Sequence, residues 1–82
     1  MNMPNELKAR SEQVAEEIRA EMARRQISVD ALSEASGVPI STLRRSVKGY
    51  RPFTIQELFV ITRLLDTTVV DIVQRAESRQ AA

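Results

Sequence analysis

Gly37-Val38-Pro39-Ile40-Ser41-Thr42-Leu43-Arg44-Arg45-Ser46-Val47-Lys48-Gly49-Tyr50-Arg51 carries four cations and no acid. Gly37 supplies the left-handed backbone that ends a preceding helix, and Pro39 suits the first turn of the next. That next helix runs to about Lys48, with Gly49 as its stop. Just upstream, Ser28-Val29-Asp30-Ala31-Leu32-Ser33-Glu34-Ala35 is a short amphipathic segment. Ser28 is its N-cap, and Ala31, Leu32 and Ala35 mark its inner face. The middle of the chain therefore reads as a helix, a tight glycine turn, and a second helix studded with Arg and Lys.

Outward from this pair, period and punctuation add three more helices and no strand. Pro4-Asn5 can start the first, in which Leu7, Val14, Ala15, Ile18 and Met22 share one face. Glu12, Glu16 and Glu17 sit toward its beginning and Arg24-Arg25 at its end, which suits the helix dipole. Residues 1–10 are either the first turns of this helix or a loose arm. Thr54-Ile55-Gln56-Glu57 is a capping box opening helix four, with Leu58, Ile61 and Leu65 on one face. Asp66 takes a left-handed position after it, at some cost relative to Gly. Thr68-Val69-Val70-Asp71 starts a short fifth helix with Ile72 and Val73. From about Glu77 the apolar pattern stops, so 76–82 is expected to fray, leaving 11–75 as the folded unit.

Composition bounds the chemistry. The 82 residues make one domain with an ordinary hydrophobic share of 43%. Cys and His are both absent, which removes disulfides, thiolate chemistry and the usual zinc ligands and general bases. No metal or cofactor site and no enzyme activity is expected. The formal net charge of +1 conceals an uneven distribution: −2 over 1–36, +4 over 37–51 and −1 over 52–82. Positive charge gathered on one element is what a polyanion partner selects. No run is long and apolar enough for a membrane span and no signal peptide opens the chain, so a soluble, cytoplasmic protein is expected.

The order of these features resembles the Cro and repressor-type helix-turn-helix family, the XRE group. The best-matching segments are GVPISTLRRSVKG (37–49) and TIQELFVITRLLDTTVVDIV (54–73), and the resemblance extends from about Ile18 to Val73. It implies an all-α, compact five-helix domain of the lambda-repressor-like type. Helix three would enter the major groove of double-stranded DNA, commonly as a homodimer on a palindromic operator.

Carried over by position, the base-reading slots fall on Ile40, Ser41 and Arg45, with Pro39 and Arg44 flanking them. Arg45 is the candidate for a bidentate contact to guanine, which is worth about 1–3 kcal/mol of discrimination. Arg44 reaches a base or a phosphate, Ser41 a base edge or the backbone, and Ile40 a thymine methyl. Lys48, Tyr50 and Arg51 lie where relatives meet phosphates. The amides near Ser28 and Val29 open helix two and favour an anion. Ser28 and Thr42 serve equally well as structural residues. About three phosphate contacts per subunit imply a log–log salt slope on the order of −5 for a dimer.

Departures from the family pattern carry their own expectations. Ser33 stands where Ala is usual at the crossing of helices two and three, and its hydroxyl can bond back to a helical carbonyl. Met22 and Val47 occupy positions where many relatives pair an Arg with a Glu, and are expected to touch instead. Thr62 and Thr67 fill slots that are usually apolar. Helices four and five carry more apolar residues than one buried face needs. Phe59, Val60, Leu64, Val70 and Val73 are therefore the candidate dimer or partner surface.

These expectations describe a small phage- or bacterial-type repressor acting by occupancy. One alternative keeps the fold in an antitoxin or accessory protein that binds a partner protein through helices four and five. Another is an interaction module whose basic helix meets an acidic partner.

Overall fold

The computed structural model describes residues 5–81. The element order is α1 (Asn5–Arg25), α2 (Val29–Ser36), α3 (Ile40–Val47), α4 (Ile55–Leu64) and α5 (Val69–Ala81), with no strand among the described residues. Asn5 opens α1, so residues 5–10 form its first turns and not an arm. The start proposed at Pro4 lies outside the described residues.

The helix ends follow local chemistry. Ser28 Oγ accepts the Ala31 N–H at 3.1 Å, capping α2. Gly37, at φ +80°, ends α2 and sends its N–H to the Ser33 carbonyl at 2.9 Å. Nothing crowds a Cβ there, so the backbone angle alone calls for glycine. Pro39 sits one residue earlier than expected: it is the N-cap of α3, with an extended backbone, and not part of its first turn. Gly49, at φ +85°, follows the last turn of α3. A Cβ on it would meet Glu12 Cγ at 3.3 Å, so α3 approaches α1 closely there. Both halves of the Thr54–Glu57 capping box are present, and Asp66 takes its left-handed place at φ +54°. Gln26 does the same after α1, also at φ +54°, where the sequence carries no glycine to signal it.

A single core joins all five helices. Ile18 and Met22 of α1, Leu32 of α2, Leu43 of α3, Leu58 and Ile61 of α4, the adjoining Leu65, and Ile72 of α5 form its buried centre. Each fully enclosed side chain of this size stabilises by roughly 1.5–3 kcal/mol. Val47 packs against the same cluster that contains Met22, so the two positions share one apolar environment. Arg19 Nη1 also donates to the Val47 carbonyl at 2.5 Å, tying the end of α3 to α1.

Several expected inner positions are not inner. Leu7 is half exposed, because α1 overruns the core at its N-terminal end. Ala31 and Ala35 are exposed, so α2 buries Leu32 and packs Val29 in place of the alanines. The Ser33 hydroxyl donates to the Val38 carbonyl in the turn, at 2.5 Å, and not to a helical carbonyl. Buried Thr62 donates to the Leu58 carbonyl at 2.7 Å and is thereby satisfied within its own helix.

The largest revision concerns the C-terminus. The expected frayed tail, 76–82, is helix through Ala81, and Ala76 is buried. What extends α5 is charge. Glu17 and Glu21 of α1 are both buried, and they accept from Arg79 and Arg75, with the Arg75–Glu21 contact at 2.5 Å. Arg79 also pairs with Glu16 at 3.2 Å, while Arg24 and Arg25 close on Glu21 from α1 itself. The pairing order, 17 with 79 and 21 with 75, makes the two helices antiparallel.

Candidate nucleic-acid interface

Ser41, Arg44, Arg45 and Lys48 are spaced i, i+3, i+4 and i+7, and all four are exposed. They therefore form one outward stripe along α3 and its last turn. The opposite side carries Leu43 and Ser46, each 1% exposed, which seat the helix on the domain. Ile40 and Thr42 are half-buried at its beginning. This arrangement follows from α3 being short: about two turns leave one face for the core and one for a ligand.

The cations on the stripe differ in their company. The side chains of Arg45 and Lys48 have no hydrogen-bond or ion-pair partner among the described residues. Arg44 Nη2 lies 3.2 Å from Asp30 Oδ1 of α2, and both side chains are well exposed. Such a surface pair is worth about 0.2–1 kcal/mol and yields easily to a stronger partner. Tyr50 is 71% exposed beyond the end of the helix.

Arg51 behaves otherwise. Its Nη1 donates to Ser46 Oγ at 2.8 Å and to Glu57 Oε1 at 3.0 Å, and its Nη2 donates to Glu57 Oε2 at 3.2 Å. Burial alone would push the Glu57 carboxyl up. Hydrogen bonds from Arg51 and the Thr54 amide, with the Arg51 charge, outweigh it and hold the carboxyl below its usual range. The guanidinium expected among the phosphate contacts is thus engaged inside the protein.

At the start of α2 the anion-binding geometry is diluted. Ser28 Oγ occupies the Ala31 amide, and Asp30 places a carboxylate in the first turn. Val29 directs its side chain to the core. The sequence reading missed both Asp30 and Glu57 as partners of Arg44 and Arg51; an acid two positions into α2 and the glutamate of the capping box were the available signals.

The sequence matches the Cro/C1-type HTH DNA-binding domain family over residues 17–77, most of the chain. The chain belongs to that family. No curated protein and no solved structure matches it. Within the family frame α2 and α3 are the helix-turn-helix, and this is a DNA-binding domain whose exposed cationic stripe lies on the second helix of the motif.

On the other side of the domain, Phe59 and Val70 are 61% and 63% exposed. Together with Thr62, Arg63, Thr67, Thr68 and Val69 they line a shallow groove of about 370 Å³ between α4 and α5. Leu64 and Val73 are each 37% exposed and Val60 is half-buried, all three apart from the groove lining. Ile55, at 52% exposure, is a further apolar residue on α4 that the sequence reading left out. Among the described residues no helix is long and apolar enough to cross a membrane, and no cluster of acidic side chains has metal-site geometry.

Proposed function

We propose that the chain is a sequence-specific regulator of transcription, a small phage- or bacterial-type repressor that occupies its operator and excludes polymerase. The observation that carries this reading is the stripe Ser41, Arg44, Arg45 and Lys48, solvent-facing on a helix whose other face is locked into the core. With α3 in the major groove, Arg45 reads guanine as a bidentate fork, and Ser41 and Ile40 meet neighbouring base edges. Arg44 exchanges Asp30 for a base or phosphate. Lys48 and Tyr50 meet the backbone, and Thr42, Ser28 and the Val29 amide lie along its path.

The protein acts as a homodimer in this reading, with Phe59 and Val70 at the centre of the paired surface and Leu64, Val73 and Val60 around it. Two subunits read a palindrome with half-sites about 34 Å apart. The same exposed groove supports a second reading, an antitoxin or accessory protein whose α4–α5 surface binds a different chain.

Selection from a randomised DNA pool at about 0.15 M salt tests this. Enrichment of a palindrome with half-sites one helical turn apart is the expected result. A single asymmetric half-site would remove the dimer but keep DNA reading. Weak, salt-sensitive binding with no enriched sequence would shift the weight to a protein partner.

A further inference from the structure

The link between α3 and α4 is polar and narrow. α3 packs mainly on α1 and α2, and α4 on α2 and α5, with little or no direct backbone approach between α3 and α4. Beyond the shared apolar core, which holds Leu43 and Leu58, a chain of hydrogen bonds joins them. Ser46, enclosed at 1% exposure and adjacent to Arg45, accepts from Arg51. Arg51 forks onto both oxygens of Glu57. Glu57 Oε1 in turn accepts the Thr54 N–H at 2.9 Å, and Thr54 Oγ1 accepts the Glu57 N–H at 3.1 Å. The side chains of Arg51 and Glu57 are 27% and 17% exposed, so water competes poorly for the pair.

We propose that Arg51 is a positioning residue for DNA reading, which orients the end of α3 through Ser46 and Glu57, and not a phosphate contact. The inference rests on the reading of α3 given above. Arg51 spends its fork on a carboxylate and a buried hydroxyl that no other side chain serves. The side chains of Lys48 and Tyr50, by contrast, stay exposed and unpartnered among the described residues. A phosphate approaching Arg51 would have to displace a bidentate carboxylate and strand Ser46, which lies beside the base-reading arginine. The helix-four capping box thereby does a second job: its glutamate anchors the guanidinium that fixes the recognition helix.

Lysine separates the two roles. An ammonium serves a phosphate well but cannot reproduce a planar fork spanning two carboxylate oxygens and a hydroxyl. Glu57→Gln keeps a side chain able to complete the capping box while removing the charge. Binding is measured for the wild type, Arg51→Lys, Arg51→Ala, Glu57→Gln and the Arg51→Lys/Glu57→Gln double variant. The probes are the selected site and a copy with one changed base pair, over a range of salt, at a temperature where circular dichroism is that of the wild type.

Arg51→Lys and Glu57→Gln are each expected to lose about tenfold in affinity for the selected site and part of the preference over the altered one. Their salt slopes stay at the wild-type value, and the double variant is no worse than the poorer single one. A neutral Arg51→Lys together with a slope shallower by about 0.9 per subunit in Arg51→Ala would make Arg51 a phosphate contact. Unchanged affinity and preference in every folded variant would reduce the network to a fold-stabilising role. If the wild type itself prefers no sequence, the reading of α3 fails first and this inference falls with it.

Discussion

Arginine does opposite work at two places in this domain. On α3, among the described residues, Arg45 faces solvent with no acid opposite it and Arg44 has only the exposed Asp30. On α5, Arg75 and Arg79 are 43% and 41% exposed, not far from the 54% of Arg44, yet each ends on a carboxylate that α1 has buried. Hydrogen bonds to Glu21 and Glu17 raise the pKa values of Arg75 and Arg79. The residue type is the same and the exposure similar. What separates a free arginine from a staple is the acid across the way, and whether that acid has been taken out of water.

The staple side should respond most strongly when its carboxylates are removed. Burial pushes the Glu21 carboxyl up, but the Arg75 hydrogen bond and the charges of Arg24, Arg75 and Arg25 hold it below its ordinary value. Replacing both buried carboxylates by amides removes their charge and half of their acceptor capacity, leaving Arg75 an amide oxygen and Arg79 an amide oxygen and the exposed Glu16. The Glu17→Gln/Glu21→Gln variant is expected to lose on the order of 4 kcal/mol in urea unfolding. A carboxyl whose folded pKa lies below its unfolded value contributes fully above that unfolded value, near ~4.3. Its contribution is lost as pH falls through the folded value. Wild-type stability should therefore be flat above about pH 5 and decline below it, with a smaller decline in the double variant. An unfolding midpoint unmoved by the two substitutions would show that the seam is held by Ile72 and Ala76 alone.

The reader side should show the inverse profile. Arg45→Ala is expected to cost about 1–3 kcal/mol of discrimination at one base pair per half-site. Its urea midpoint should remain that of the wild type, since the side chain supports nothing inside the domain. Equal losses on every DNA sequence would recast Arg45 as a backbone contact.

At Asp30 the two regimes meet, because it puts an acid beside a cation of the exposed stripe. Asp30→Asn frees Arg44 and removes a charge that repels phosphate. A two- to fivefold gain in DNA affinity is expected, roughly 0.4–1 kcal/mol, with stability within about 0.5 kcal/mol. Weaker binding by the variant would mean that the Asp30–Arg44 pair orients the arginine for DNA.

Much of this was legible before any coordinates, for local reasons. Ser28, Gly37, Gly49 and the Thr54–Glu57 box act on their own backbones within a few residues, so sequence spacing is enough to read them. The same holds for the α4 positions Leu58, Ile61 and Thr62 and the adjoining Leu65, where helical period and burial coincide. The reading failed where the partner lay far along the chain. Glu17 was legible only as an acid suiting the helix dipole, Glu21 carried no signal, and 76–82 looked like a tail because it lacks apolar period. Their 54- and 62-residue separations from Arg75 and Arg79 lie beyond any local rule.

Among the candidate site residues, the difference between Arg45 and Arg51 was invisible for the same reason. Both are cations near the end of α3, and their sequence contexts are alike in charge. By itself, the sequence determined five helices, their caps, a cation-rich second helix in the motif and the absence of acid on it. Only the tertiary structure decided which arginines remain free, because that depends on which carboxylates the packing of α1 on α5, and of the α3–α4 loop on α4, brings within reach and shields from water.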